Sequence, residues 1–149
     1  MGGNAIPQFT KNGVVPTALV TAANVKSDGT GTIGTDLFLA LTADVTNGTY
    51  IERVDFWPVS SVAGTSTTAT VGRVFLCSIT SGTPTTAQSR LIGEVALPSQ
   101  SAANTATAVQ PVSVPVGYRI PPGWTILVST HAAPAANTNW RANVIGGDY

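Results

Sequence analysis

The sequence predicts an all-β protein: a single jelly-roll-like antiparallel β-sandwich with an extended N-terminal arm. Three observations predict it. Short apolar stretches alternate with turn signals at regular spacing from about residue 34 onward, as in sandwiches and barrels. Charged residues make up 9% of the 149, against roughly 25% in an ordinary soluble domain, and Thr, Ser, Ala and Gly fill the difference. No helical period stands out: the Ala-rich stretch 130–137 is interrupted by Pro134, which removes an N–H and clashes with the preceding turn.

The length suits one domain with a real core. Residues 1–32 read as the arm and 33–149 as the sandwich. The arm holds Pro7, Pro16, the Gly-rich Asp28-Gly29-Thr30-Gly31-Thr32 and few large apolar groups, with one edge strand expected within 18–24. Such a segment buries too little to order itself, so it is expected either to be disordered or to lie on a neighbouring subunit, with strand addition as the route.

In the sandwich the first strand is expected at 35–42. Asn47-Gly48-Thr49 then turns the chain, since Asn and Gly accept positive φ. Strand 50–59 places Val54 and Phe56 on one side and Arg53, Asp55 and Trp57 on the other. Strand 69–80 is apolar on both faces, Val74 and Leu76 against Phe75 and Cys77, and is expected to bury one in its own core and the other against a neighbour. Ser81-Gly82-Thr83-Pro84 turns again. Strand 90–97 sets Leu91, Val95 and Leu97 opposite Arg90, Ile92 and Glu94. Pro111 and Pro115 confine strand 108–116 to a sheet edge or a bulge, because neither can donate to a ladder. Pro121-Pro122-Gly123 launches strand 124–130, with Trp124, Ile126 and Val128 on one face, and 139–145 is the last strand. About eight strands after the arm are expected.

Charge narrows the function classes. Seven basic residues balance seven acidic ones, so net charge is zero and copies do not repel. Lys and Arg are scattered singly, without the cluster that nucleic-acid binding needs. No basic amphipathic helix and no apolar run near the roughly 20 residues of a bilayer span is present, so no membrane partner is expected. Cys77 is alone in an apolar strand and reads as a small buried hydrophobe. The N-terminus lacks a basic region followed by an apolar stretch, which implies synthesis as a soluble chain in the cytoplasm.

Chemistry-bearing residues are sparse. His131 is the one imidazole and sits beside an Ala/Pro loop. The seven acids show no convergent pair for glycoside chemistry, and Glu52 beside Arg53 and Glu94 after Arg90 read as ion pairs. Gly29 to Gly34 spells G-x-G-x-x-G, but no helix follows to offer its N-terminus to a phosphate. No catalytic, cofactor-binding or metal residue is therefore expected. Trp57, Trp124, Trp140, Tyr50 and Tyr118 allow a sugar-stacking platform, against which core and interface packing is the stronger reading.

Several stretches resemble small structural proteins of tailed-bacteriophage virions. They are Tyr50-Ile51-Glu52-Arg53-Val54, Gly72-Arg73-Val74-Phe75-Leu76, Leu91-Ile92-Gly93-Glu94-Val95-Ala96-Leu97-Pro98, Ile120-Pro121-Pro122-Gly123-Trp124 and Gly146-Gly147-Asp148-Tyr149, within residues 35–149. The resemblance implies a β-sandwich without enzymatic activity, of the capsid decoration (cement) type. Its partners would be itself, as a homotrimer, and the major capsid protein on the outer surface of the virion. A head-fibre or tail-associated adaptor and a carbohydrate-binding module are the alternatives. Self-association or capsid contacts are expected at Ile6, Phe9, Val14, Val15, Leu19 and Val20 of the arm and at Trp57 and Phe75 of the sandwich.

Overall fold

A computed structural model describes residues 12–101 and 108–149. Its strands are β1 (Asn12–Val14), β2 (Thr17–Val20), β3 (Phe38–Thr42), β4 (Thr49–Ser60), β5 (Thr70–Cys77), β6 (Ser89–Leu97), β7 (Val112–Ile120), β8 (Thr125–Thr130) and β9 (Thr138–Asp148). Sheet I runs β1-β9-β4-β7, with β2 also paired to β9, and sheet II runs β3-β8-β5-β6. All strand pairs are antiparallel.

The pairing follows one rule. β2 joins β9, β3 joins β8, β4 joins β7 and β5 joins β6, as though one long hairpin had been rolled up. Within the sheets β9 then joins β4, and β8 joins β5. That is a jelly roll of eight strands, β2 to β9, with β1 as an addition.

Alternation aims the side chains. Val54 and Phe56 of β4 and Trp140, Ala142 and Val144 of β9 point inward, where they meet Val74, Leu76, Ile126 and Val128 of sheet II. Phe56 and Trp140 are the largest of these groups and anchor the layer between the sheets. A bulge between Ile51 and Arg53 keeps Ile51 in the core, and β7, which carries Pro115, lies at the sheet edge as its prolines require. The edges β6 and β7 close one side of the sandwich so tightly that a Cβ on Gly93 would come within 2.3 Å of Val114 Cγ1.

Sheet II is covered on its outer face as well. Residues 21–37 form a strap across it. Leu37 packs with Phe75, Cys77 and Leu127 in a second buried cluster, flanked by Ile33 and Ile79. Asn24 N donates to Thr130 O at 2.8 Å, and Ile33 N to Gly82 O at 2.9 Å. Gly29 sits at φ 76°, and a Cβ there would fall 2.1 Å from Ser89 Oγ. The Gly-rich stretch is thus a close-fitting cover rather than a linker or a phosphate cradle.

Four expectations are corrected. β2, placed by sequence in a free arm, bonds to its own chain's β9, and Val20 is fully buried in the core. The arm reading failed because Thr17–Val20 is short, yet its alternation puts Ala18 and Val20 inward. The outer face of β5 is covered by the strap, so Phe75, fully buried, is not an interface residue. Among the described residues seven strands, not eight, follow residue 33, because the first of the eight is β2. Finally, a bulge in the β5–β6 ladder reverses the parity of β6, so Ile92 joins Val95 against the core while Leu91 is 39% exposed.

Deleting residues 1–32 is expected to remove the first jelly-roll strand and most of the strap, and to abolish cooperative unfolding in denaturant. Val20→Ala should cost about 2 kcal/mol by leaving a small cavity. A truncated chain that unfolds at the same denaturant midpoint as the full one would contradict this account.

Candidate functional site

Among the described residues polar side chains cluster in several places, and three of them bear on chemistry or on the strap. The first lies on the outer face of sheet I. Asp55, 6% exposed, faces out from β4 and takes Arg53 Nε at 3.1 and 3.2 Å and the Ser113 hydroxyl at 2.6 Å. Arg53 also meets Glu52. The carboxylate of Asp55 holds the Arg53 guanidinium more firmly protonated than usual, with Glu52 adding to the effect. Register explains the grouping: Asp55 lies opposite Ser113 on one side and Asn143 on the other. The cluster is self-satisfied and offers no free acid or base.

The second surrounds Arg73, which points out of sheet II beneath the strap. Its Nε donates to Glu94 at 3.2 Å, directly across the β5–β6 ladder, and its Nη1 donates to the carbonyls of Asn24 at 3.2 Å and Lys26 at 3.4 Å. Nη2 lies 3.5 Å from His131 Nδ1. Arg73 therefore clamps the strap, and Glu94 pairs with it rather than with Arg90. Further along the strap, Asp28 accepts the Thr30 N–H at 2.9 Å and its hydroxyl at 2.7 Å. Those bonds hold the Asp28 carboxyl below its ordinary pKa, the backbone one foremost. Its contribution to the folded state is present above the unfolded value and is lost as pH falls through the lowered one.

The third place is a groove of about 240 Å³ at the end of sheet I where β4 stops and β9 begins, bordered by Leu19, Val59, Asn139 and Arg141 and by the turn residues Ser61 and Asn137. The ladder sets Leu19, Arg141 and Trp57 in one row across β2, β9 and β4. The neighbouring row is Val59 with Asn139. Arg141, Asn137 and Asn139 form no local motif with the residues of β2 and β4 that they meet across the sheet. The alternation around Trp140 and Ala142 already placed Asn139 and Arg141 on the outward face.

The expected contact residues do not form one surface. Val14 is half-buried and Val15 is 66% exposed, at the end of sheet I where Val14 lies opposite Gly146. Leu19, 41% exposed, and the half-buried Trp57 belong to the row of Arg141, five residues back along β9, about 17 Å at roughly 3.4 Å per residue. Val20 and Phe75 are interior, and Ile6 and Phe9 lie outside the described residues. The aromatic residues form no common platform either: Trp140 is core, Trp124 packs at the core margin, and Tyr118 is on the edge strand β7. Among the described residues no three His, Cys, Asp or Glu side chains converge as metal ligands, and no helix is long and apolar enough to cross a membrane. Comparison with known proteins returns no significant match to a family model, a curated protein or a solved structure.

Arg73→Ala is expected to destabilise the fold by about 1–3 kcal/mol, since two strap carbonyls lose a charged donor. Hydrogen exchange should quicken at Asn24 and Ile33 while β9 amides keep their protection. Uniform loss of protection, or none, would refute the clamp.

Proposed function

We propose that this chain is a non-enzymatic structural protein of a tailed-phage virion, a capsid decoration subunit that self-associates as a trimer and binds the major capsid protein. The observation that carries the reading is the edge of sheet I formed by β1 and β2. Among the described residues, each pairs with β9 on one side and with no strand on the other. From Asn12 to Val25 there is no charged residue, and Val15 is 66% exposed. Free-standing sheets blunt their edges with charge, because open N–H and C=O rows recruit other strands; this edge carries Pro16 and little else against that. A subunit designed to be joined there has no need of the charge. The sparse charge of the chain, its zero net charge and the motifs resembling virion proteins agree with that role.

The other support is what the ionisable groups are engaged in. His131 lies against Arg73, Asp55 is held by Arg53 and Ser113, and Glu94 pairs with Arg73, each serving to fix the scaffold. A closed trimer would let each copy present the same edge to the lattice.

Native mass spectrometry at micromolar concentration is expected to give a trimer. Val15→Asp should reduce co-sedimentation with phage heads at least tenfold while leaving the thermal midpoint within a few degrees. A monomer that also fails to bind heads would sink the decoration reading, and rings of another symmetry would favour the adaptor.

A further inference from the structure

We infer that the groove at the β4–β9 end of sheet I is a subsite for an acidic saccharide, a hexuronate or sialate residue, with Arg141 receiving its carboxylate. This goes beyond the assembly proposed above and lies at the other end of the sheet from the Val14–Val15 edge.

Ser60 also lines the groove, with its hydroxyl engaged by Val62 O, Thr65 and Asn137 O, while the other polar side chains are free to bind. Among the described residues, the amides of Asn137 and Asn139, the hydroxyl of Ser61 and the guanidinium of Arg141 have no hydrogen-bond partner, and no carboxylate pairs with Arg141. The contrast is on the same face: Arg53, Asp55 and Ser113 consume one another's hydrogen-bonding capacity. Two amides supply donors and acceptors together, a hydroxyl supplies both, and a guanidinium supplies a planar fork of donors. That inventory suits a ligand rich in hydroxyls with one carboxylate, which the fork can take in bidentate fashion.

The backbone beneath these groups is fixed before any ligand arrives. Asn139 and Arg141 ride on β9, which is bonded there to β2 on one side and β4 on the other. Asn137 is held at φ 63°, a region Asn tolerates, while its carbonyl accepts Ser61 N at 3.3 Å and the Ser60 hydroxyl at 3.0 Å. Thr138 ties the same turn by donating both its N–H, at 3.0 Å, and its hydroxyl, at 2.9 Å, to Ala135 O. Groups mounted on such a frame lose less entropy on binding than groups on a loop.

Apolar surface completes the site. Leu19 and Val59 border the groove, and Trp57 stands two residues from Val59 on the same strand face, about 7 Å away. They offer the C–H face of a sugar ring something to lie on. At about 240 Å³ the groove is smaller than the ~300–1,000 Å³ of sites that engulf a drug-sized molecule. It fits one residue of a glycan rather than a whole small molecule. Competing ligands fit less well. A neutral sugar leaves Arg141 without a counter-charge, and a small carboxylate leaves both amides idle.

The test uses the full chain and NMR titration with 3′-sialyllactose and trigalacturonate, with lactose as the neutral counterpart and hexaglutamate as the acidic peptide. Both acidic sugars, or one of them, should shift the Ser61, Asn139 and Arg141 amides saturably and at least tenfold more tightly than lactose. Arg141→Gln should bring binding down to the lactose level, Arg141→Lys should retain part of it, and Arg90→Gln, on the other sheet, should leave it unchanged. Spectra of the variants in the absence of sugar check that they fold. Absence of saturable shifts with both acidic sugars, equal binding by folded Arg141→Gln, or equally tight binding of hexaglutamate would overturn the assignment. Head binding by the same variants separates a failure here from a failure of the decoration reading.

Discussion

Everything in this fold hangs on β9. It is an interior strand of sheet I, hydrogen-bonded to β4 along one edge and to β2 and then β1 along the other. Its inward side chains, Trp140, Ala142 and Val144, fill the centre of the sandwich, while Asn139 and Arg141 face out and give the groove its polarity. The strand thus sets the core and the polar lining of the groove by the same alternation, and a one-residue slip would exchange the two sets. Bonding on both edges is what prevents that slip.

How much of this could be read in the sequence depended on side-chain size. After the bulge at Glu52, residues 53–59 alternate, and Val54 and Phe56 fell on the side the structure gives them. Turns written in Asn, Gly and Pro were equally legible, and Gly48 and Gly123 take the positive φ their turns demand. A strand was expected within 18–24, but not its place as the first strand of the sandwich, because its inward pair is Ala18 and Val20, too small to mark a core face in a stretch containing Pro16. Periodicity showed that β5 is buried on both faces. What it could not show was the cover, since Leu37 and Ile33 stand in a Gly-rich segment whose conformation follows from close approach, as at Gly29 beneath Ser89, rather than from any local period. The β6 error has a similar origin: a bulge is a single-residue event that shifts every side chain after it to the opposite face.

The candidate site was legible in kind but not in place. Leu19 and Trp57 were singled out as contact residues, and they do share a row on an outward face. What joins them is Arg141, read in the sequence as one of several scattered cations. Its neighbours in space come from β2, β4 and the turn before β9, more than a hundred residues apart in the chain, so no local motif could have collected them. The polar clusters divide by the same criterion. Those with an internal partner for every group, at Asp55 and Arg73, stabilise the scaffold, and the one whose groups are left over is the one able to recognise something else.

The rolled hairpin also orders events during synthesis. Asn12 ends up opposite Asp148, so the earliest described residue waits for nearly the last before it can pair. At the ~5–20 residues per second of translation, that wait is on the order of ten seconds or more. Until β9 leaves the ribosome, β2 and β4 both lack their common neighbour, and sheet I is reduced to the β4–β7 pair. Sheet II has no such handicap, because β3, β5, β6 and β8 are all made before β9 begins. The strands of sheet II thus precede in synthesis the strand that completes the sheet covering their apolar inner face.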